Sequence, residues 1–159
     1  MEERGRDYVP YLSAALSGVL LIFGAAGYLF WKDAGELATA AVDMGVPHPT
    51  GFPLWTGGAR VFGYLPLGSL DFRFSLLSVM PFIGCVWLSS SLVGRVFANL
   101  DFKMPLLADI CIRGIGLPLL VLSSVTAHYL ASTPEVYALA SVLVLAQVFA
   151  LLAVKKGEV

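Results

Sequence analysis

Four stretches of this chain are long and apolar enough to decide what it can fold into: Tyr8 to Phe30, Phe74 to Phe97, Ile110 to Ala127 and Val136 to Val154. Crossing the roughly 30 Å hydrocarbon core of a bilayer takes about 20 residues at helical rise. Lipid offers no water to bond a bare backbone, so only helices or closed barrels span it, and these runs lack the alternation of barrel strands. With 58% hydrophobic and 13% charged residues and a mean hydropathy of +0.82, a soluble domain is excluded. The expected fold is an all-α integral membrane module over residues 1–159. It has four transmembrane helices (8–30, 74–97, 110–127, 136–154) and a long outer loop, 31–73, carrying one or two short interfacial helices.

Arg4 and Arg6 precede the first apolar run, as in a signal peptide, and Gly24 to Gly27 read "GAAG", a weak cleavage-like site. The run continues through Tyr28, Leu29 and Phe30, so an uncleaved signal anchor is expected. Charge sets the orientation. One side of the four-span arrangement carries Arg4, Arg6, Arg95, Lys103, Lys155 and Lys156, and the other carries Lys32, Arg60 and Arg73 among Asp33, Glu36, Asp43 and Asp71. The positive-inside rule puts both termini in the cytoplasm and the 31–73 loop outside. A net charge of −1 points to no nucleic acid partner. Cys85 and Cys111 match no metal or redox spacing and read as packing residues.

A loop of this length is either functional or disordered, and its composition argues for order. From Asp33 to Met44, Leu37, Ala40, Ala41 and Met44 share an apolar face, with Glu36 and Asp43 turned away, as in a helix lying along the interface. Gly45 and the run Pro47-His48-Pro49-Thr50-Gly51-Phe52-Pro53 end that helix and impose a rigid, extended turn. "LWTGGARVFGYL", Leu54 to Leu65, reads as a second short helix with Trp55 and Tyr64 at headgroup level.

Several polar residues carry two readings. Asp33 and Glu36 fit a capping box at the helix start, and Asp33 also fits a general base at the edge of an apolar site. His48, held between prolines, suits a ligand, a base or a hydrogen-bond donor, with no companion at metal-binding spacing; His128 has no companion motif either. Arg73, at the mouth of the second span, is an interface anchor paired with Asp71 or a fork for a lipid-linked phosphate. Glu135, after Thr133 as helix cap and Pro134 at the first helical position, either serves the helix dipole or faces the loop as a second acid. Asp109 and Arg113, spaced i, i+4, pair to ease burial. Gly114, Gly116 and Pro118 leave the third span kinked or closely packed.

The strings "DAGELATAAVDMGVPHPTGFPLW", "LDFRFSLLSVM" and "PEVYALASVLVL" together resemble the N-terminal part of a bacterial membrane family of long unknown function. Its animal members are protein O-mannosyltransferases of the GT-C glycosyltransferase superfamily. The family pattern runs D-S-G-E, then G-x-x-H-P-P-G-Y-P-L, an arginine near the second span, and E-V-Y-x-L at the fourth. Asp33, Gly35 and Glu36 match the first motif. Gly45, His48, Pro49, Gly51, Pro53 and Leu54 match the second, and Arg73 and Glu135 to Leu139 match the others. Ala34, Thr50 and Phe52 depart from it. The resemblance covers essentially the whole chain but only about the first third of a typical member.

It implies a membrane glycosyltransferase, or the N-terminal portion of one, that transfers a sugar from a polyprenyl-phosphate donor to an acceptor on the outer face. Asp33 would be the base, Glu36 its support, and His48, Arg73 and Glu135 substrate-binding. No cofactor is implied beyond the lipid-linked sugar as co-substrate; the partners are membrane lipid and a further membrane chain supplying the missing spans. The competing expectation is a non-enzymatic subunit or degenerate remnant whose outer loop is a docking surface. A transporter is disfavoured, because no charge sits mid-span.

Overall fold

The computed structural model describes residues 5–25, 33–49 and 51–155. Those residues form helices α1 (Val9–Gly24), α2 (Asp33–Asp43), α3 (Pro53–Gly63), α4 (Leu70–Asn99), α5 (Leu106–Asp109), α6 (Leu117–Ser123), α7 (Val125–Ser132) and α8 (Tyr137–Lys155), with a π-helical stretch over Ile110–Gly116 between α5 and α6. No strand occurs among the described residues, as the apolar pattern requires.

At its centre stands α4, with 30 residues, about 45 Å at helical rise. It starts where the Ser69 side chain accepts the Phe72 N–H at 3.2 Å, with Asp71 in the first turn at the positive end of the helix dipole. Helices α1, α3, α7 and α8 pack against it.

By length and composition, two helical stretches can each cross a membrane: Leu70–Asn99 and Leu106–Ser123. A third crossing exists if α7 and α8, bent by 102° to one another, count as one broken span. Four unbroken spans were expected. The first, α1, ends after 16 residues, and residues 26–30 of the expected span lie outside the described residues. The third expected span stops at Ser124 instead of Ala127, because Ser124 turns extended and its side chain accepts the Ala127 N–H to start a new helix.

Helix α8 also starts later than the sequence suggested. Thr133 ends α7, its hydroxyl donating back to the Tyr129 carbonyl at 2.8 Å, while Pro134, Glu135 and Val136 lie in the break. Ser78 of α4 fills the gap there: its hydroxyl accepts the Glu135 N–H at 2.9 Å and donates to the Glu135 carbonyl at 3.0 Å.

The π-helical stretch resolves the choice left open by Gly114, Gly116 and Pro118. In a π turn the Arg113 carbonyl would pair with the N–H of residue 118, and in an α turn the Gly114 carbonyl would do so; proline has no N–H to give. Ser13 of α1 donates to the Arg113 carbonyl and lies 3.4 Å from the Gly114 carbonyl, and Ser90 of α4 donates to the Arg113 carbonyl at 3.5 Å. Arg113 and Asp109 form the expected pair, both buried, with two guanidinium–carboxylate hydrogen bonds. A third guanidinium donor goes to the Ser90 carbonyl at 2.9 Å.

Asp109→Ala would leave the Arg113 charge buried and unpaired, which costs about 3–5 kcal/mol. A lower unfolding midpoint in detergent is the expected result. At Gly94 an added methyl would lie 2.9 Å from Arg113 Cζ, so Gly94→Ala should lower the same midpoint; an unchanged midpoint in both variants would show that this junction is not locked.

Candidate functional site

Residues 33–49 and 51–73 form a compact cap at one end of α4. Leu37, Ala38 and Ala41 of α2, Trp55 and Ala59 of α3, and Phe74 of α4 form its buried core. Val136 and Leu139, at the break and in α8, pack against that core. The amphipathic reading of α2 therefore holds for Leu37, Ala40 and Ala41, but Met44 is exposed and lies beyond the helix. Trp55 is a correction: it is 1% exposed and meets Phe74 edge-on at a centroid distance of 6.5 Å, instead of sitting in an aromatic belt. Its place on α3 turns it toward α2 and α4, whereas Tyr64, just after the helix, is exposed as expected.

The chain reverses after α2 because Met44 adopts a left-handed conformation, φ 54°, and the Gly45 N–H reaches back to the Ala40 carbonyl at 2.9 Å. This is a Schellman-type helix end with methionine where glycine is usual. The chain turns here, the Gly51 N–H reaching the His48 carbonyl at 2.9 Å, and His48, between Pro47 and Pro49, retains the one N–H that those three residues have. That N–H donates to Glu36 Oε1 at 2.6 Å, and the His48 ring nitrogen Nδ1 lies 3.0 Å from Glu36 Oε2. A carboxylate only accepts, so Nδ1 carries the proton, and in the neutral ring Nε2 is the basic nitrogen. Glu36 thus grips His48 twice, instead of reaching back to close a capping box with Asp33.

Asp33 is the first residue of α2, half-buried, one turn before Glu36 and on the same side of the helix. Glu135 is 4% exposed in the break beside Val136, whose side chain touches the core beneath α2. The first and fourth apolar helices, α1 and α8, both pack chiefly on α4 and not on each other, and it is Val136 and Leu139 that bring the break against the cap.

The two arginines serve helix ends. Arg60 donates to the Val42 carbonyl in the last turn of α2 and lies 5.3 Å over the Tyr64 ring. Arg73 donates to the carbonyls of Gly63, Gly68 and Ser69, closing α3 onto α4. Its donors meet carbonyls and not Asp71. Cations at the C-terminal ends of helices offset the helix dipole there. Among the described residues no group of three or more His, Cys, Asp and Glu side chains gathers to hold a metal ion.

Two recesses flank the pair. One, of about 350 Å³, is lined by Gly35, Glu36, Thr39, Asp43, Gly45 and Pro47 among others. The second, of about 320 Å³, runs between the start of α3 and the first turns of α8 and is almost wholly apolar. Phe52 joins it to the pair, its ring 5.4 Å from the His48 ring in an edge contact.

Residues 33–158 match the family described as the protein O-mannosyl-transferase TMEM260 N-terminal domain. The chain belongs to that family. The protein O-mannosyl-transferase TMEM260 of Mus musculus is 37% identical over 78 residues, covering 43% of this chain and 11% of that relative. The chain thus aligns with about a tenth of the relative's length. No solved structure matches it. Membership bears out the resemblance carried by Asp33, Gly35, Glu36, His48 and Glu135, all of which lie inside the matched region. With the apolar helices it makes this an integral membrane protein.

What sequence reasoning missed was the Glu36–His48 contact. Both residues stood out separately, but the contact depends on the reversal at Met44, and methionine gives no sign of a left-handed helix end. The His48 ring, and then its N–H, hold the Glu36 carboxyl below its ordinary value of 4.5. A depressed carboxyl contributes stability above its ordinary value, and that contribution is lost as pH falls through the lowered one. The His48 amide is therefore expected to be protected from hydrogen exchange near neutral pH and to lose protection on acidification below 4.5. Glu36→Gln should abolish that pH dependence; an equally pH-dependent protection in the variant would remove Glu36 as its source.

Proposed function

We infer that this chain is the catalytic-loop portion of a membrane glycosyltransferase of the GT-C type, transferring a sugar from a polyprenyl-phosphate donor to an acceptor hydroxyl on the outer face. Membership in the O-mannosyltransferase family, over a region that takes in the whole cap, carries this reading. The charge distribution supports the orientation it needs, with both termini in the cytoplasm of a bacterial inner membrane and the cap outside.

In this reading the acceptor O–H gives its proton to the Asp33 carboxylate as the oxygen bonds to the sugar's anomeric carbon. The bond from that carbon to the phosphate oxygen breaks, and polyprenyl phosphate leaves with the electron pair. Glu36 fixes His48 and with it the turn that shapes the acceptor side. Asp33, at the first turn of α2 on the same side as Glu36, remains the base. Arg73 acts by holding α3 against α4, its donors being committed to carbonyls. Glu135, buried in the break, belongs to the substrate-binding group through the core that Val136 shares with α2. Charge stabilisation for the leaving phosphate, the other half of the catalytic demand, comes from further transmembrane segments, in a partner membrane chain or beyond this region.

One observation favours the second reading, a non-enzymatic subunit or remnant with a docking loop: Glu36 and Arg73 are both engaged in holding the cap together. One substitution separates the two. Asparagine caps a helix about as well as aspartate but cannot serve as a base. In native membranes given labelled polyprenyl-phosphate sugar, Asp33→Asn at wild-type abundance is expected to cut transfer by about 10²-fold or more, toward the level of a deletion strain. Wild-type transfer by the asparagine variant, with the deletion inactive, would establish the subunit reading.

A further inference from the structure

We propose that His48 selects the sugar acceptor: its Nε2, locked by Glu36 as a bare hydrogen-bond acceptor, takes an O–H or N–H of the molecule whose hydroxyl meets Asp33, and turns phosphate away. This deepens the glycosyltransferase reading and rests on it.

A histidine ring in water turns freely and shares its proton between two nitrogens. His48 can do neither. Glu36 takes its backbone N–H at 2.6 Å and lies 3.0 Å from Nδ1, its carbonyl accepts the Gly51 N–H at 2.9 Å, and the Phe52 ring stands edge-on at 5.4 Å. Phe52 is set there at φ 41°, a left-handed conformation that only glycine adopts without strain. Turning the imidazole over would put a carbon against Glu36, so Nδ1 keeps the proton and Nε2 keeps a lone pair aimed away from the carboxylate. The His48 side chain is 39% exposed, and among the described residues Nε2 has no hydrogen-bond partner.

An atom that only accepts needs a partner with a proton to give. Asp33 stands one turn before Glu36, their β-carbons about 5–6 Å apart on that face of α2, so two carboxylates flank the approach to the ring. The arginines of the cap do not offset them, because Arg60 is held on the Val42 carbonyl and Arg73 on those of Gly63, Gly68 and Ser69. Phosphate oxygens would meet lone pairs and negative charge here. A hydroxyl or an amide meets acceptors. There is room for its bearer as well: the recess of about 350 Å³ alongside is lined by Gly35, Glu36 and Pro47, and a methyl added at Gly35 would touch nothing within 4 Å. The Asp33–His48 face is thus the half of the site for an uncharged acceptor, with the phosphate of the sugar donor on the other half.

The chain has only two histidines, His48 and His128, so nitrogen NMR of the histidine-labelled full chain in lipid nanodiscs can follow each ring, with His128→Gln assigning the other. In mildly alkaline buffer, where imidazoles as a class are neutral, His48 is expected to show one tautomer, protonated on Nδ1 and bare on Nε2, and Glu36→Gln should mix the two. Adding N-acetyl-threonine N-methylamide, whose hydroxyl sits beside two amide donors, should move the Nε2 signal; inorganic phosphate at the same concentration should not. In native membranes given labelled polyprenyl-phosphate sugar and this threonine derivative, His48→Asn keeps an amide N–H for Glu36 but has nothing at the Nε2 position. It should raise the acceptor concentration for half-maximal transfer by about tenfold, the order of one net hydrogen bond, and leave that of the sugar donor unchanged.

Mixed tautomers in the wild-type chain, an Nε2 signal that phosphate moves as far, one that the threonine derivative leaves in place, or an equal rise for both substrates in His48→Asn would each overturn the proposal. The phosphate and threonine titrations use the wild-type chain, so they stand even where a variant fails to fold. If Asp33→Asn leaves sugar transfer intact while Nε2 responds as expected, the catalytic reading fails and the His48 contact survives; the reverse pattern removes the contact alone.

Discussion

A backbone carbonyl that loses its donor inside a bilayer has no water to replace it, and this bundle is assembled around the points where its helices give donors up. Pro118 withholds an N–H from the Arg113 and Gly114 carbonyls, and hydroxyls from α1 and α4 take its place. Where α7 and α8 part, Ser78 of α4 both accepts from and donates to Glu135. The serines that do this are buried on the faces that bring the helices together. Each break thus doubles as an interhelical fastening, and α4 owes its central place to supplying most of the partners.

The cap follows a similar logic at a wetter address. Its helices are short, 11 residues each, below the length at which isolated helices hold in water. Their stability comes from the Leu37–Trp55–Phe74 core and from charged side chains set on helix ends. Arg60 takes the end of α2, Arg73 the end of α3, and Glu36 the turn between them. The polar residues that stood out as candidates for chemistry are largely the ones that give the loop its shape. Of those candidates, Asp33 and the Nε2 side of His48 take no part in these cap-holding contacts.

Much of this was legible in the chain. Apolar run length located α4 and α8 to within a few residues, and the i, i+4 spacing of Asp109 and Arg113 foretold their pair. The proline and glycine run located the turn between α2 and α3. What stayed hidden were features that a neighbour decides. Trp55 reads as an interfacial residue until α2 is known to lie over it. Thr133 reads as the start of a helix until its hydroxyl is seen turning back to Tyr129. Met44 carries no propensity for the left-handed turn that the Ala40 carbonyl completes, so the meeting of Glu36 and His48 could not be found from spacing.

The 102° between α7 and α8 has a consequence for the lipid as well as for the protein. Transmembrane helices tilt by about 0–40° from the bilayer normal, so a bend of this size leaves α7 and α8 either both leaning strongly, in opposite directions, or one of them lying over toward the membrane plane. In neither case does that flank offer the acyl chains an upright wall, and the molecule therefore has a heading in the plane of the membrane.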